Sequence, residues 1–208
     1  MPILNVVVVG TGDMGGALAQ AIAQRVGYHV SVRGARRNSA SARHVIAASD
    51  GAISEATDDR LRSADVVFVV VPWAAFDAVA GLLSGHTGVI VSVIVPWADG
   101  DARRDIVSVA EQMAARLPAA RIVSAFTTVS SAVVREPNPD NPVSIIVCAD
   151  DDGARRSVMD VATELGFGAV NGGPLVSARY TEAMGLLWAA LAYDGGYGER
   201  VSYRVFVP

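Results

Sequence analysis

The stretch Leu4–Gly15, which reads LNVVVVGTGDMG, decides the fold of this chain. Its first six residues are mostly β-branched and predict a strand that is buried on both faces. Gly10, Gly12 and Gly15 then form a GxGxxG pattern that opens a predicted helix over residues 13–26. In this context the glycines allow a tight turn, the approach of a pyrophosphate and close helix packing. The stretch predicts a dinucleotide-binding βα unit, the alternative being a glycine-rich turn without a ligand.

Strand-like and helix-like segments alternate along the remaining chain. Further strands are predicted at residues 29–33, 52–54, 66–71, 89–95, 121–126 and 143–148. Helices are predicted at residues 39–48, 57–63, 74–83, 102–117 and 152–165, and a last one from about 175 to 193. This order predicts an α/β fold, a doubly wound and mainly parallel Rossmann-type sheet with a helical C-terminal cap. We expect one domain over residues 1–208, with the sheet in 1–172 and the cap helix and an irregular or strand-like tail in 173–208.

Composition excludes several classes of protein. The chain has 208 residues, of which 51% are hydrophobic and 18% charged, and its formal net charge is −4. These values exclude a disordered chain, and the absence of a basic block argues against a nucleic acid partner. No uncharged apolar stretch reaches the roughly 18–20 residues that cross a bilayer, so we expect a cytoplasmic protein without a membrane partner. The single cysteine, Cys148, allows no intrachain disulfide and is expected to be a buried thiol, and no metal site is predicted.

All 17 basic residues are arginine, and the chain contains no lysine. This excludes every mechanism that needs a lysine amine, including the Tyr-x-x-x-Lys pair of short-chain dehydrogenases, Schiff-base chemistry and the Walker A loop. It also excludes the catalytic lysine of β-hydroxyacid dehydrogenases. His29, His44 and His86 lie at positions typical of structural or solvated residues. The sequence therefore favours chemistry that a bound cofactor carries out.

The end of the second predicted strand indicates which nicotinamide cofactor binds. NAD-binding proteins of this kind place an acidic side chain about 20 residues after the glycines, where it binds the ribose 2′-hydroxyl. Here no acid lies between Asp13 and Asp50, and the sequence instead reads RGARRNS from Arg33 onwards. The guanidinium groups of Arg33, Arg36 and Arg37 suit a phosphate dianion. We therefore predict NADP(H), the alternative being a solvated arginine cluster that begins an exposed helix.

Several short motifs occur in the order and spacing of a known family. They are Gly10–Gly15, Arg36–Arg37, Val71–Trp73, Val91–Ser92, Val95–Pro96, Ser124–Ala125 with Thr128, Gly173–Leu175, Ala178–Arg179 and Glu182. Over nearly the whole chain the sequence thus resembles the F420-dependent NADP oxidoreductase family. The resemblance implies an enzyme that transfers a hydride between NADP(H) and a flat acceptor, coenzyme F420 or a flavin. Where family members commonly carry histidine or asparagine, this chain has Thr127.

The same resemblance implies a set of site residues. On the cofactor side these are Gly10, Thr11, Gly12, Asp13, Met14, Gly15, Arg33, Arg36, Arg37, Val71, Pro72, Trp73 and Pro96. On the acceptor side they are Phe126, Thr127, Thr128, Pro174, Leu175, Met184, Leu187 and Trp188. We also expect Asp13 to cap the first helix. Thr127 and Thr128 would position the acceptor, although a threonine that ends a strand more often binds nearby backbone. Trp73 would be either a pocket wall or a core residue.

Three functions remain open at this point. The first is hydride transfer between NADP(H) and F420 or a flavin, which needs no side-chain acid. The second is NADPH-dependent reduction of a C=N, C=C or C=O bond in a small metabolite, which needs a proton donor near Thr127, Tyr193 or Tyr197. The third is a non-enzymatic NADP(H)-binding regulatory domain. The apolar stripe from Tyr180 to Leu191 is more typical of a core or a dimer interface than of an acceptor contact, so we expect a homodimer.

Overall fold

The computed structural model of the protein describes residues 4–34, 36–96 and 107–207. Its strands are β1 (Leu4–Val9), β2 (Tyr28–Arg33), β3 (Ile53–Glu55), β4 (Val66–Val69), β5 (Val89–Ser92), β6 (Arg121–Ser124), β7 (Ser144–Ala149) and β8 (Gly168–Asn171). They form one sheet in the order β3-β2-β1-β4-β5-β6-β7-β8, in which β1 to β6 are parallel. The order changes direction between β1 and β4, as in a doubly wound sheet. The predicted α/β, Rossmann-type fold is confirmed.

The helices cover both faces of this sheet. They are α1 (Asp13–Ala23), α2 (Ala40–Ala47), α3 (Asp58–Arg62), α4 (Phe76–Leu82), α5 (Val109–Arg116), α6 (Ser131–Arg135), α7 (Asp152–Glu164) and α8 (Ala178–Ala189). The helix predicted at 102–117 thus appears as α5, and its predicted start lies outside the described residues. The short helix α6 was not predicted. None of the described helices is long and apolar enough to cross a membrane.

The central strands are apolar on both faces because each face has its own core. In β1, the side chains of Val6 and Val8 pack on one side, and those of Val7 and Val9 pack on the other. All four are at most 2% exposed. Continuous apolar strands are the expected pattern for a parallel sheet covered by helices. This packing holds the carboxyl edge of the sheet, where the glycine loop lies, in place.

The last two strands run against the others. β7 pairs with β6 in antiparallel orientation, with Ser124 opposite Cys148, and β8 pairs with β7 in parallel. Because Ser124 ends β6, this register carries residues 144–147 beyond the carboxyl edge of the six parallel strands. We call β7 and β8 together the β7–β8 ribbon. β8 was not predicted, since its four residues, Gly168–Asn171, carry only one β-branched side chain.

The predicted C-terminal helix is present, but its buried face is not the predicted one. A 3₁₀ turn at Leu175–Ser177 leads into α8, which continues as a π-helical segment at Ala190–Asp194. The buried residues of α8 are Ala178, Thr181, Glu182, Gly185 and Ala189. Tyr180 and Leu187 of the predicted apolar stripe are 73% and 53% exposed. The core interpretation of that stripe is wrong, because small residues let the helix approach the sheet closely on its other side. The tail over residues 195–207 forms no strand.

Candidate functional site

The glycine loop between β1 and α1 leaves an open space at Gly12. Gly10 has a φ of +104°, and a Cβ there would lie 2.7 Å from the carbonyl carbon of Val70. A Cβ on Gly15 would lie 2.9 Å from the carbonyl carbon of Gly10. The protein's own backbone therefore restricts these two positions to glycine. A Cβ on Gly12 would meet no atom within 4 Å, so the space in front of it is available to a ligand.

The N-terminus of α1 presents backbone amides that donate no hydrogen bond to the side chains of residues 4–34, 36–96 and 107–207. Its N-cap is Gly12, which makes no side-chain hydrogen bond. In contrast, α2, α3, α5, α6 and α7 are capped by Ser39, Thr57, Ser108, Ser130 and Asp151. The expectation that Asp13 caps α1 is wrong, because Asp13 is the first residue of the helix and its side chain is exposed. Free amides and the helix dipole together suit a pyrophosphate.

A cluster of hydroxyl and guanidinium groups lies beside this loop. Arg36 and Arg37 are exposed directly after β2. Ser39 caps α2 by accepting a hydrogen bond from the amide of Ala42 at 3.2 Å. The hydroxyl of Ser41 lies 2.7 Å from that of Thr11, which links the start of α2 to the glycine loop. Sequence reasoning missed Ser41, although a serine in the first turn of a helix that follows two arginines is a usable signal for a phosphate site.

Arg33 does not join the exposed arginines. Its residue is only 7% exposed, and its guanidinium lies 3.0 Å from the carboxylate of Asp58 and donates to the carbonyl of Ala56 at 3.1 Å. These contacts tie the end of β2 to β3 and α3. The structure therefore leaves Arg36 and Arg37 exposed at the surface, whereas Arg33 forms an ion pair with Asp58.

The segments that leave β4 and β5 meet at the same edge of the sheet. Pro72 is exposed there, whereas Val71, Trp73 and Pro96 are half-buried. The ring of Trp73 stacks on that of Phe76, with centroids 5.1 Å apart and an interplanar angle of 14°. One face of the indole is thus used for packing, and the rest of the side chain remains accessible beside Pro72.

Phe126 turns the chain at the end of β6. Its φ of +60° lies in the left-handed region, which is uncommon for a bulky side chain and typical of strained functional turns. The ring is 2% exposed and stands edge-on to Phe68 and Phe167, with centroid distances of 6.1 Å to each. The ring belongs to the core. Phe126 therefore presents its backbone, and not its side chain, to the space at the carboxyl edge of the sheet between the glycine loop and α8, which we call the cleft.

The two threonines that follow Phe126 are also buried. Thr127 and Thr128 are 5% and 2% exposed. The hydroxyl of Thr127 donates to the carbonyl oxygen of Thr181 in α8 at 3.3 Å. This contact is the backbone hydrogen bond that the sequence offered as an alternative role for Thr127. It also joins the end of β6 directly to the cap helix.

The cap contributes an apolar surface next to these strand ends. Of the residues expected on the acceptor side, Pro174 and Leu187 are exposed, and Met184 and Trp188 are half-buried. The indole nitrogen of Trp188 donates to the carbonyl of Val201 at 2.7 Å, which holds the tail against α8. Leu175 is 4% exposed and packs in the core. The accessible wall is therefore formed by α8 itself.

Two side chains near the glycine loop were not among the predicted site residues. Arg135 of α6 donates from Nη2 to the carbonyl of Asp13 at 3.1 Å, which adds a positive charge beside the loop. Tyr193 of the π-helical segment lies 3.4 Å from the carboxylate of Glu199. Partial burial and that carboxylate raise the pKa of Tyr193, so the phenol stays protonated at neutral pH. Arg135 had no signal because α6 itself was not predicted.

Together the fold and the loop define the class of this protein as a Rossmann-type dinucleotide-binding domain. The open space at Gly12, the uncapped start of α1 and the exposed Arg36 and Arg37 fit a dinucleotide that carries an additional phosphate. Among the residues that the structure describes, no three His, Cys, Asp or Glu side chains are grouped as a metal ion requires.

Comparison with known proteins finds similarity to one oxidoreductase family, mainly in the first half of the chain. Residues 5–96 match the family model described as NADP oxidoreductase, coenzyme F420-dependent. The chain is 39% identical over 80 residues to the F420-dependent NADP reductase of Methanocaldococcus jannaschii, covering 37% of this chain and 35% of that protein. It is 26% identical over 129 residues to the metalloreductase STEAP3 of Rattus norvegicus, covering 62% of this chain and 26% of that protein. The matched regions thus span about a quarter to a third of these relatives.

Solved structures agree on the fold. A protein from Arthrobacter sp. FB24, described as a candidate F420-dependent NADP reductase, superposes with a TM-score of 0.80 at 19% identity and covers 98% of this chain and 100% of that one. The 3-hydroxyisobutyrate dehydrogenase of Mycobacterium tuberculosis gives a TM-score of 0.66 at 13% identity, covering 93% and 62%. The family resemblance inferred from the sequence is confirmed for the matched region: residues 5–96 are similar to the family of coenzyme F420-dependent NADP oxidoreductases, and the solved structures confirm the fold.

Proposed function

We propose that this protein is an NADP(H)-dependent oxidoreductase that transfers a hydride between NADP(H) and a flat acceptor, coenzyme F420 or a flavin. The observation that carries the proposal is the glycine cradle, in which Gly12 faces open space at the start of a helix whose amides are free. The match to the F420-dependent family supports the choice of acceptor, as does the similarity to the F420-dependent NADP reductase of Methanocaldococcus jannaschii.

Different residues would bind the pyrophosphate and the 2′-phosphate of NADP(H). The amides of Gly12, Asp13 and Met14 would hold the pyrophosphate, with the Arg135 guanidinium beside them. Arg36 and Arg37 would hold the 2′-phosphate with the Ser41 hydroxyl as a neutral donor. When bound, NADP(H) supplies or takes up the hydride, so the protein's part is to align two ring systems and exclude water.

The acceptor would lie against the apolar wall of the cap. Pro96 after β5 and Met184 on α8 are both half-buried and would border this space, and neither carries a titratable group. Such a wall suits a flat conjugated ring, which binds through stacking and apolar contact. Reduction of a small metabolite instead needs a proton donor, but the Thr127 hydroxyl already donates to Thr181 and the pKa of Tyr193 is raised. The geometry therefore supports the flat acceptor better.

The proposal is tested by mixing the purified protein and NADPH with coenzyme F420, with FMN, or with no added acceptor, and following the loss of nicotinamide absorbance. We expect acceptor-dependent oxidation of NADPH with one of the two rings and none without an acceptor. Tight binding of NADPH without turnover of either ring would refute the flat acceptor. A screen of small C=N, C=C and C=O substrates would then separate a metabolite reductase from a non-enzymatic NADP(H)-binding domain.

The choice of NADP(H) over NAD(H) is tested at Arg36 and Arg37. Charge reversal in Arg36→Glu or Arg37→Glu places a carboxylate next to the 2′-phosphate, so the Kd for NADPH should rise at least tenfold while that for NADH changes less than threefold. The matched control is Arg25→Glu, which reverses an exposed arginine after the other end of α1. Calorimetry measures the Kd for NADPH and the Kd for NADH in the wild type and in each of the three variants. Equal losses for both nucleotides would show that these arginines do not read the phosphate.

The expected homodimer stays a prediction, as do the single domain and the cytoplasmic location. We place the dimer interface on the exposed face of α8, where Tyr180 and Leu187 are accessible. Sedimentation of the native protein and of a Tyr180→Glu, Leu187→Glu double variant checks it, and a monomer at all concentrations in both would exclude it.

A further inference from the structure

A buried carboxylate joins the cap helix to the helix that follows β5. Glu182 of α8 is 2% exposed. Its two oxygens accept hydrogen bonds from the amides of Val109 at 2.8 Å and Ala110 at 3.1 Å, the first two residues of α5. An ionised carboxylate away from water needs such partners, and a helix N-terminus supplies both the donors and a favourable dipole.

The start of α5 has its own cap in addition to Glu182. Ser108 and Glu111 form a capping box, in which the Ser108 hydroxyl accepts from the Glu111 amide at 3.1 Å and the Glu111 carboxylate accepts from the Ser108 amide at 2.9 Å. The capping box does not bind the amides of Val109 and Ala110, and these two amides donate to Glu182. A second α8 residue, Arg179, binds Glu111 through Nε at 2.8 Å and Nη2 at 2.6 Å. Two carboxylates and a guanidinium therefore fasten α8 to the start of α5.

The same turn of α8 touches the strand ends that border the cleft. Thr181 accepts the hydrogen bond of the Thr127 hydroxyl. At Gly185, a Cβ would lie 2.5 Å from the carbonyl oxygen of Thr127 and 2.8 Å from a methyl group of Val95. The backbone of α8 thus rests on the ends of β5 and β6 on either side of Glu182. Any shift of Glu182 would move this contact and the side chain of Met184 with it.

We propose that Glu182 is a positioning residue for the acceptor: by binding the first two amides of α5 it holds α8 on the strand ends and so fixes the acceptor wall. The inference rests on the proposed function. It concerns only the acceptor half of the cleft, because the glycine loop and the exposed arginines belong to β1, α1 and the start of α2.

The charge of Glu182 is sensitive to pH. Burial raises its pKa to about 7, against the two amide hydrogen bonds, and the nearby Glu111 carboxylate adds to the rise. Among the residues that the structure describes, the Arg179 guanidinium on the same helix and the Cys148 thiol on β7 also face this junction. Below pH 7 a proton on Glu182 removes the cost of burying a charge, which stabilises the fold as a whole, but it also takes away one of the oxygens that accept from the amides of α5. Acceptor turnover should therefore weaken from pH 8 to pH 6 in a way that depends on this side chain.

The test compares the wild type with Glu182→Gln. Glutamine has the same shape, but its NH₂ group is a donor and cannot accept from one of the two backbone N–H groups. The matched control is Glu164→Gln on α7, where the carboxylate accepts from the Tyr28 hydroxyl away from α8. We expect Glu182→Gln to lower kcat/KM for the acceptor at least tenfold, to leave the Kd for NADPH within twofold, and to lose the fall in turnover between pH 8 and pH 6. The control should match the wild type in all three.

A kcat/KM within twofold of the wild type, or an equal loss of NADPH affinity, would overturn the role of Glu182. If Glu182→Gln does not fold, Arg179→Gln loosens the same junction from its more exposed side, and the same loss of acceptor turnover is expected; unchanged turnover would overturn the proposal. If the wild type reduces no acceptor, the proposed function has failed on its own. The emission of bound NADPH then reports on Glu182: an altered emission at unchanged Kd in Glu182→Gln supports it, and an unaltered emission overturns it.

Discussion

Replacing Gly12 with alanine should weaken cofactor binding at least tenfold while the protein still folds. Gly12 is the N-cap of α1 with φ −72° and ψ −169°, a conformation that alanine adopts, and its added Cβ meets no protein atom within 4 Å. Alanine is a poorer N-cap than glycine by about 1 kcal/mol or less. For a chain of this size that lowers Tm by roughly 2–4 °C. The new methyl group instead occupies the space into which a pyrophosphate would come.

The expected loss of affinity follows from the contacts that the methyl group displaces. A charge-assisted hydrogen bond to a helix amide contributes about 1.5–3 kcal/mol, so the loss of one raises Kd by roughly tenfold to a hundredfold. Gly15→Ala is the contrasting variant, since its Cβ would lie 2.9 Å from the backbone carbonyl carbon of Gly10. Neither backbone segment can yield easily, so the fold should lose about 3 kcal/mol, or roughly 6–12 °C in Tm.

Thermal unfolding and calorimetry with NADPH measure the two effects on the same samples. Gly12→Ala should melt near the wild type and bind NADPH at least tenfold more weakly, whereas Gly15→Ala should melt much earlier. An unchanged Kd in Gly12→Ala would refute the reasoning, because it would show that no ligand approaches the backbone at this point. A large fall in the Tm of the same variant would show that the open space is filled by the protein.

Two further predictions concern buried titratable groups. The pKa of Glu182 is raised to about 7 from an ordinary 4.5, so the folded state binds this proton more tightly than the unfolded state. The contribution of Glu182 to the free energy of unfolding should therefore be greatest below pH 4.5, and it should fall by up to about 3 kcal/mol as the pH rises to 7. Urea titrations give the free energy of unfolding at pH 5 and at pH 8. The difference between these two values should be smaller in Glu182→Gln than in the wild type, and an equal difference would contradict the raised pKa of Glu182. Burial raises the pKa of Cys148 to about 11, so a thiol reagent should modify it only after unfolding, and modification at the rate of a free thiol would contradict its burial.

The sequence was sufficient for the parts of the fold that depend on local pattern. Apolar strands such as β1 and β4, and the alternation of strand and helix, predict the parallel sheet because burial on both faces leaves a continuous hydrophobic run. The direction of β7 has no such local signal, because an antiparallel strand and a parallel one carry the same residues. β8 and α6 are only four and five residues long, and their partners rather than their propensities hold them.

Some features of the candidate site could likewise be predicted from the sequence, and others could not. The glycine loop was predicted from the GxGxxG spacing and its place between a strand and a helix, although the constraint on Gly10 comes from Val70 after β4. The position of Arg33 depends on Asp58, and that of the Phe126 ring depends on Phe68 and Phe167, all of them distant in sequence. The buried face of α8 was misjudged because close approach to the strand ends selects Gly185 over larger apolar residues. Glu182 was noted as part of a motif, but its amide partners are visible only in the fold.

The β7–β8 ribbon lies at the edge of the sheet opposite β3, four strands or more from β1 and its glycine loop, and protein engineers can use that position. Its far end gathers the turn before Ser144, the turn before Gly168 and the tail at Tyr203, whose carbonyl accepts from the Ser144 amide at 3.0 Å. None of these segments belongs to the region 5–96 that carries the family match. Libraries that vary the length of these segments would therefore leave the matched nucleotide-binding region unchanged, so their effects could be read separately from effects on the glycine loop.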